Sequence, residues 1–198
     1  EKLGLFLFND EDKGNCSACH PSGVLNVGGS VEDGFDKTSA NGALFTDFSF
    51  DNLGTPKNPD NPFYDMDQVF LDNGDPINPL GADWVDLGLG SFLSTRPEWA
   101  DKAAENWGKH KVPTLRNVAK GPSEEFQNAY MHNGVFKSLN ELVHFYNTRD
   151  VEDWPEPEVA ANVNPDELGN LGLTKKEEDA IVAFMTTLSD GYIIKDKK

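Results

Sequence analysis

The run Asn15-Cys16-Ser17-Ala18-Cys19-His20 contains both cysteines of the chain, and no other stretch restricts the fold as much. Two thiols three positions apart, followed at once by an imidazole, serve three known chemistries: a disulfide or redox dithiol, half of a zinc site, or a covalent haem anchor. Zinc requires about four ligands, and no second cysteine pair exists to complete the set. A thioredoxin-like dithiol belongs in a βαβ setting, and no strand-rich pattern surrounds this one. On a helix, residues i, i+3 and i+4 share a face. Cys16, Cys19 and His20 stand in that relation, so two thioether bonds to the haem vinyl groups can form while the imidazole reaches the iron from the same side. The motif therefore predicts haem c, one covalent group for one motif, with His20 as proximal ligand. Attachment of this kind takes place outside the cytoplasm, which predicts a periplasmic or otherwise exported protein.

The charge balance restricts the partners. A formal net charge of −17 argues against nucleic acid or an anionic membrane surface, both of which are negative themselves. It favours a redox protein with a basic docking patch, and it also keeps the chain soluble. No apolar run approaches membrane-spanning length, and the opening EKLGLFLF is too short and wrongly flanked for a signal peptide. An exported chain is thus expected to have shed its signal already.

The 198 residues fit one domain with a true hydrophobic core, read as all-α: a c-type cytochrome fold with long irregular loops around one haem. Residues 2–9 read as a short apolar helix leading into the haem segment. Residues 21–80 are dense in Gly, Asn, Asp and Pro and keep no sustained period. Long irregular loops need something to organise them, and Phe35, Phe45, Phe48 and Phe50 are expected to tuck into the core and seal one haem edge. Three later segments carry helix starts. Thr95-Arg-Pro-Glu98 predicts a helix to about residue 108. Ser138-Leu-Asn-Glu141 predicts a capped helix with Leu139, Leu142, Val143 and Tyr146 on one stripe. Thr174-Lys-Lys-Glu177 predicts another, with Ile181, Phe184, Met185 and Leu188 on its stripe and Gly191 as its stop. The intervening proline-rich loop is expected to be irregular. No internal repeat divides the chain, so residues 1–198 read as one domain with an excursion over 28–95.

Several stretches together resemble a known family. KGNCSACHPSG, LFTDFSFDNLGTPKN, VPTLRNVA and AYMHNGVFKSLNELVHFYNTRD are similar to the bacterial di-haem cytochrome c peroxidase and MauG superfamily. The similarity is to its second, C-terminal haem domain and runs from about Leu3 to about Tyr192, with residues 58–111 matching poorly. In that family this domain receives electrons and passes them on, while peroxide is cleaved at a second haem in the preceding domain. The resemblance therefore implies the electron-transfer half, with the N-terminal peroxidatic domain absent from this chain. It also implies that Arg116 lies near the haem propionates, where a guanidinium fork suits a carboxylate, and that His132 resembles a histidine between the two domains. A calcium ion is implied at the domain junction, although Gln127-Asn128-Ala129 departs from the Thr-x-Pro usual there and DMDQVFLDNGD fits no EF-hand register.

The residue facing His20 across the iron is left open between candidates. Tyr146 falls where the resemblance places a methionine ligand in the peroxidases and a tyrosine in MauG-like members, but it also completes the apolar face of its own helix. Met131 is a soft donor beside the Y-x-H-N-G turn. Met185 reads as core, Met66 sits in an acidic loop without an anchor, and His110 and His144 read as surface or helix-end charges. Trp99 and Trp107 read as packing. Two functions compete: a mono-haem carrier of single electrons, and a peroxidase or MauG-like haem enzyme, which needs an open distal site with an acid–base residue. The glutamates near the turn, Glu124 and Glu125, read as solvent-facing. A haem-based sensor is a third reading.

Overall fold

The computed structural model describes residues 1–22, 44–121, 123, 126 and 128–193. Four α-helices organise them: α1 (Lys2–Asn9), α2 (Gly88–Ser94), α3 (Leu139–Thr148) and α4 (Lys175–Thr186). Helix is the main regular structure, and long irregular segments join the helices, as the sequence predicts. The departure from an all-α chain is small: β1 (Phe50–Asp51) pairs antiparallel with β2 (His110–Lys111), Phe50 opposite Lys111 and Asp51 opposite His110.

The first and last helices form the centre of the molecule. Phe8 of α1 is fully buried and meets Phe184 of α4 edge-on at 5.1 Å between ring centroids and Phe45 at 6.2 Å. Leu7, Leu115, Leu139, Val143, Ile181, Met185 and Leu188 complete the same cluster. Gly4 sets the approach of the two helices. A Cβ placed there would stand 1.8 Å from the Ala180 carbonyl oxygen and 2.8 Å from the Phe184 Cβ. Because the obstacle is backbone, Gly4→Ala is expected to push the helices apart and cost about 1–3 kcal/mol or more. Urea unfolding of the holoprotein measures it, and an unchanged midpoint would mean that the helices do not pack this closely.

The caps of α3 and α4 follow the sequence. Thr174 and Glu177 form a complete reciprocal capping box, and the Ser138 side chain accepts from the Glu141 amide. The Glu141 carboxylate reaches back one residue further, to the Lys137 amide at 3.0 Å. Two boundaries differ from expectation. Helix α4 ends at Thr186, and Gly191 (φ +80°) instead lies inside the next turn, closed by the Tyr192 amide on the Ser189 carbonyl. Thr95 does not open a helix: α2 ends just before it, and only 3₁₀ turns at Ala100–Lys102 and Ala104–Asn106 follow. Pro97 disfavours helical backbone at Arg96 before it, which separates α2 from those turns.

Asparagine side chains hold the irregular segments. Asn52, Asn58, Asn78 and Asn147 are each 5% exposed, so each must satisfy its amide internally. The Asn52 amide donates to the Val159 and Ala161 carbonyls at 2.9 and 2.8 Å, tying β1 to the proline-rich loop. Asn147 accepts from the Leu173 amide and donates to the Leu173 carbonyl and to the buried Glu178, joining α3 to the start of α4. A second aromatic cluster, Phe136, Phe145 and Trp154, packs on the other side of α3. Among the described residues no helix is long and apolar enough to cross a membrane.

Candidate functional site

Cys16 to Ala18 form a 3₁₀ turn rather than the α-helix expected, entered through Asn15 in the left-handed region (φ 49°) and closed by the His20 amide on the Cys16 carbonyl at 2.9 Å. That last contact has i, i+4 spacing, so the two sulfurs and the imidazole still come off one turn. Both thiols are free. Burial pushes the Cys16 thiol up to about 12, and burial reinforced by the charges of Glu167, Asp47 and Asp51 does the same to Cys19. A redox dithiol needs a depressed thiol pKa and electropositive surroundings. These surroundings are the opposite.

The orientation of His20 is fixed by its neighbours. Its Nδ1 lies 2.8 Å from the Phe45 carbonyl oxygen. A carbonyl only accepts, so Nδ1 carries the proton and Nε2 keeps its lone pair for a metal. Burial lowers the pKa of this imidazole and keeps it neutral. Phe45 reaches this position with φ at 51°, in the left-handed region that β-carbon-bearing residues seldom adopt.

Tyr146 and Met131 meet at the same place. The Tyr146 hydroxyl donates to the Met131 sulfur at 3.4 Å, and burial together with Cys16 and Cys19 raises the phenol pKa, which places those thiols among its electrostatic neighbours. Tyr146 comes from the third turn of α3. Met131 comes from the Y-x-H-N-G turn, closed by the bridge between Tyr130 and Phe136, and it too is left-handed (φ 66°). The two rival candidates of the sequence are thus partners in one contact. This donor set fits a covalently attached haem: two free thiols, an imidazole with a bare Nε2, and a phenol–thioether pair, with Cys16 and Tyr130 packed on the apolar cluster.

The other candidates fall elsewhere. Arg116 stands 5.5 Å over the Phe45 ring, at the edge of the site. Met185 is core, as expected. Of the four phenylalanines assigned to the haem edge, Phe45 is buried, Phe48 and Phe50 are exposed, and Phe35 lies outside the described residues, as do Glu124, Glu125 and Gln127. Met66 is exposed. Trp99 packs beside Phe92, and Trp107 stands against Gly90. Among the described residues no three His, Cys, Asp or Glu side chains cluster to hold a metal ion.

The two histidines expected at the surface are structural. His144 donates from Nδ1 to the buried Glu178 at 2.8 Å, and that hydrogen bond raises its pKa. His110 stacks flat on His132 at 3.7 Å between centroids, and its Nε2 is buried with no hydrogen-bond partner among the described residues. His132 in turn lies 2.9 Å from the buried Glu158, which also accepts from Asn133 at 2.8 Å and from the Asp86 amide at 3.2 Å. Burial raises the Glu158 pKa, but hydrogen bonds from His132 and Asn133 outweigh it and hold the carboxyl below the usual range. A carboxylate depressed in the folded state contributes stability above its unfolded pKa, and the contribution disappears as pH falls through the folded value. Glu158→Gln is therefore expected to cost about 1–3 kcal/mol at neutral pH and to flatten the loss of stability on acidification. Urea midpoints from pH 7 to pH 3 check this; parallel curves for both proteins would remove Glu158 as the source.

Comparison with known proteins follows this geometry. The chain is 36% identical over 190 residues to the methylamine utilization protein MauG of Paracoccus denitrificans, covering 89% of this chain and 39% of that protein. It is 29% identical over 189 residues to the cytochrome-c peroxidase IdrP1 of Denitromonas iodatirespirans, covering 94% of this chain and again 39% of the relative. Among solved structures, the diheme peroxidase BthA of Burkholderia thailandensis superposes with a TM-score of 0.60 at 26% identity, covering 96% of this chain and 42% of that one. The chain thus spans about two-fifths of the length of these relatives. No protein-family profile matches it.

Proposed function

Because the chain belongs to the superfamily of MauG and the di-haem cytochrome c peroxidases, we propose that it carries one covalent haem c and moves single electrons, as an electron-transfer domain of such an enzyme does. Cys16 and Cys19 anchor the group and His20 binds it through Nε2. The haem supplies an iron that accepts and returns one electron. The chain's own residues do the rest. The Phe45 carbonyl holds the His20 ring in the tautomer that ligates. The phenol–thioether pair of Tyr146 and Met131 would offer the group a further donor. Phe45 and its apolar neighbours would keep water from the metal, and Arg116, over the Phe45 ring, would meet a propionate. The observation that supports the reading is the single turn that carries both free thiols and an imidazole whose Nε2 is left bare.

Thioether attachment puts this protein in an exported compartment, and its charge of −17 suits exchange with a protein bearing a basic patch. Peroxide turnover is the second reading, favoured by the peroxidases among its relatives. It requires an open position at the metal with an acid–base group within reach, where this chain instead offers two side-chain donors. Spectroelectrochemistry of the matured protein decides. A reversible one-electron couple without steady-state peroxide consumption is expected; sustained turnover of peroxide would make it the enzyme.

A further inference from the structure

The long irregular segment before α2 has a surface of its own. Residues 69–77 form a hairpin: the Ile77 amide donates to the Val69 carbonyl at 2.8 Å, the Leu71 amide to the Asp75 carbonyl at 2.8 Å, and Gly74 turns the tip with φ at +87°. A φ of this sign is the one that favours glycine. On and around the hairpin, Met66, Val69, Phe70, Leu71, Ile77 and Leu80 are all exposed, Phe70 at 61% and Leu80 at 58%. Exposed apolar side chains gathered like this mark an interaction surface more often than chance scatter. The charge along this segment is acidic, with Lys57 at its edge, where it donates to the Ala82 carbonyl. Between Lys57 and Arg96 the chain has no lysine or arginine and seven aspartates, Asp60 through Asp86. Asp65, Asp67, Asp72 and Asp75 are exposed beside the apolar residues.

We propose that this acidic-rimmed apolar hairpin is the surface on which a lysine-rich redox protein docks. The proposal rests on the electron-transfer reading and names the partner chemistry and its place. An apolar centre inside a charged rim is the arrangement of a specific transient interface, and a rim of this sign selects a basic partner. A second copy of this chain would bring two such rims together, and an anionic bilayer would be repelled by the same carboxylates. The chain that leads to the hairpin is tied to the Y-x-H-N-G turn: Asn58, eleven residues before Val69, donates to the Asn133 carbonyl at 2.9 Å, and Asn133 donates to the Pro56 carbonyl at 2.8 Å. Asn133 lies two residues from Met131, which meets Tyr146. With the group bound, one electron would pass to it from the reduced partner, with no bond made or broken.

The experiment uses matured holoprotein and, as probe, a lysine-rich mitochondrial cytochrome c followed by stopped flow. Neutralising the rim (Asp65→Asn, Asp67→Asn, Asp72→Asn, Asp75→Asn) is expected to lower the second-order exchange rate about tenfold at low salt and to weaken its salt dependence. Phe70→Ser with Leu71→Ser is expected to weaken binding about tenfold while leaving the salt slope intact. Neutralising four exposed carboxylates elsewhere (Asp101, Glu105, Glu152, Asp153) should change little, and reduction by a small neutral mediator should be the same in all. Wild-type exchange rates in both hairpin variants would overturn the docking surface while leaving a reversible couple, and so the electron-transfer reading, in place. Sedimentation showing a dimer dissolved by Phe70→Ser would overturn it in favour of self-association. Absence of any reversible couple in the unmodified holoprotein would remove the reading underneath.

Discussion

A chain in which Cys16 and Cys19 are both replaced by alanine, matured beside the wild type, is expected to emerge with no covalent haem at all. Its intact mass should be that of the polypeptide, whereas the wild type should carry the added mass of one haem. Each single variant should retain the group through its remaining thioether. His20→Ala should keep both thioethers but lose the axial nitrogen, so its spectrum changes while its mass increment survives. The expectation follows from the site's chemistry. With burial pushing both thiols up to about 12, neither is an activated thiolate at neutral pH. Iodoacetamide should accordingly label the apo chain slowly at pH 7. A wild-type chain that matures with no added mass, or thiols that alkylate at the rate of an exposed cysteine, would return the dithiol to contention.

What could be read in advance was whatever is encoded locally. Helices α1, α3 and α4 have short-range signals: an apolar octet, two Ser/Thr caps with a glutamate three residues on, and stripes at i, i+3, i+4 and i+7. The C-x-x-C-H run is equally local, since its chemistry depends on spacing within one turn. The connecting segments lie beyond such reading because their order comes from long-range hydrogen bonds. Asn52 reaches Val159 and Ala161, and Asn58 reaches Asn133; an asparagine buried for this purpose looks in sequence like any turn residue. The stacking of His110 on His132 joins β2 to the Y-x-H-N-G turn, which explains why His110 read as a surface charge. Helix α2, seven residues with two glycines, has almost no intrinsic propensity and depends on the packing of Gly90 against Trp107. The rivalry between Tyr146 and Met131 could not be resolved from sequence for the same reason: they sit on different elements, and only the folded chain brings hydroxyl and sulfur to 3.4 Å.

That contact leads to the second large effect. Removing the Tyr146 hydroxyl in Tyr146→Phe keeps the ring and its place on α3 but deletes the oxygen donor and frees the Met131 sulfur from the hydrogen it accepts. A tyrosine oxygen is a hard donor that favours ferric iron, and a thioether is a soft one that favours ferrous iron. With Tyr146 as ligand, the variant's midpoint potential should therefore rise on the order of 100 mV or more, within the roughly 0.8 V that axial ligation spans across haem proteins. A sulfur-to-iron absorbance band should then appear as Met131 takes the position. Met131→Leu should leave the potential of the wild-type ligation nearly unchanged, and Tyr146→Phe combined with Met131→Leu should give a high-spin ferric EPR signal because neither donor is left. The phenol's burial, reinforced by the neighbouring thiols, raises its pKa, so without a cation it stays protonated and the sulfur stays its acceptor. Only a metal charge at that point would displace the proton. If the sulfur band is already present in the unmodified ferric protein and survives Tyr146→Phe, Met131 is the ligand, and the tyrosine serves only to orient it.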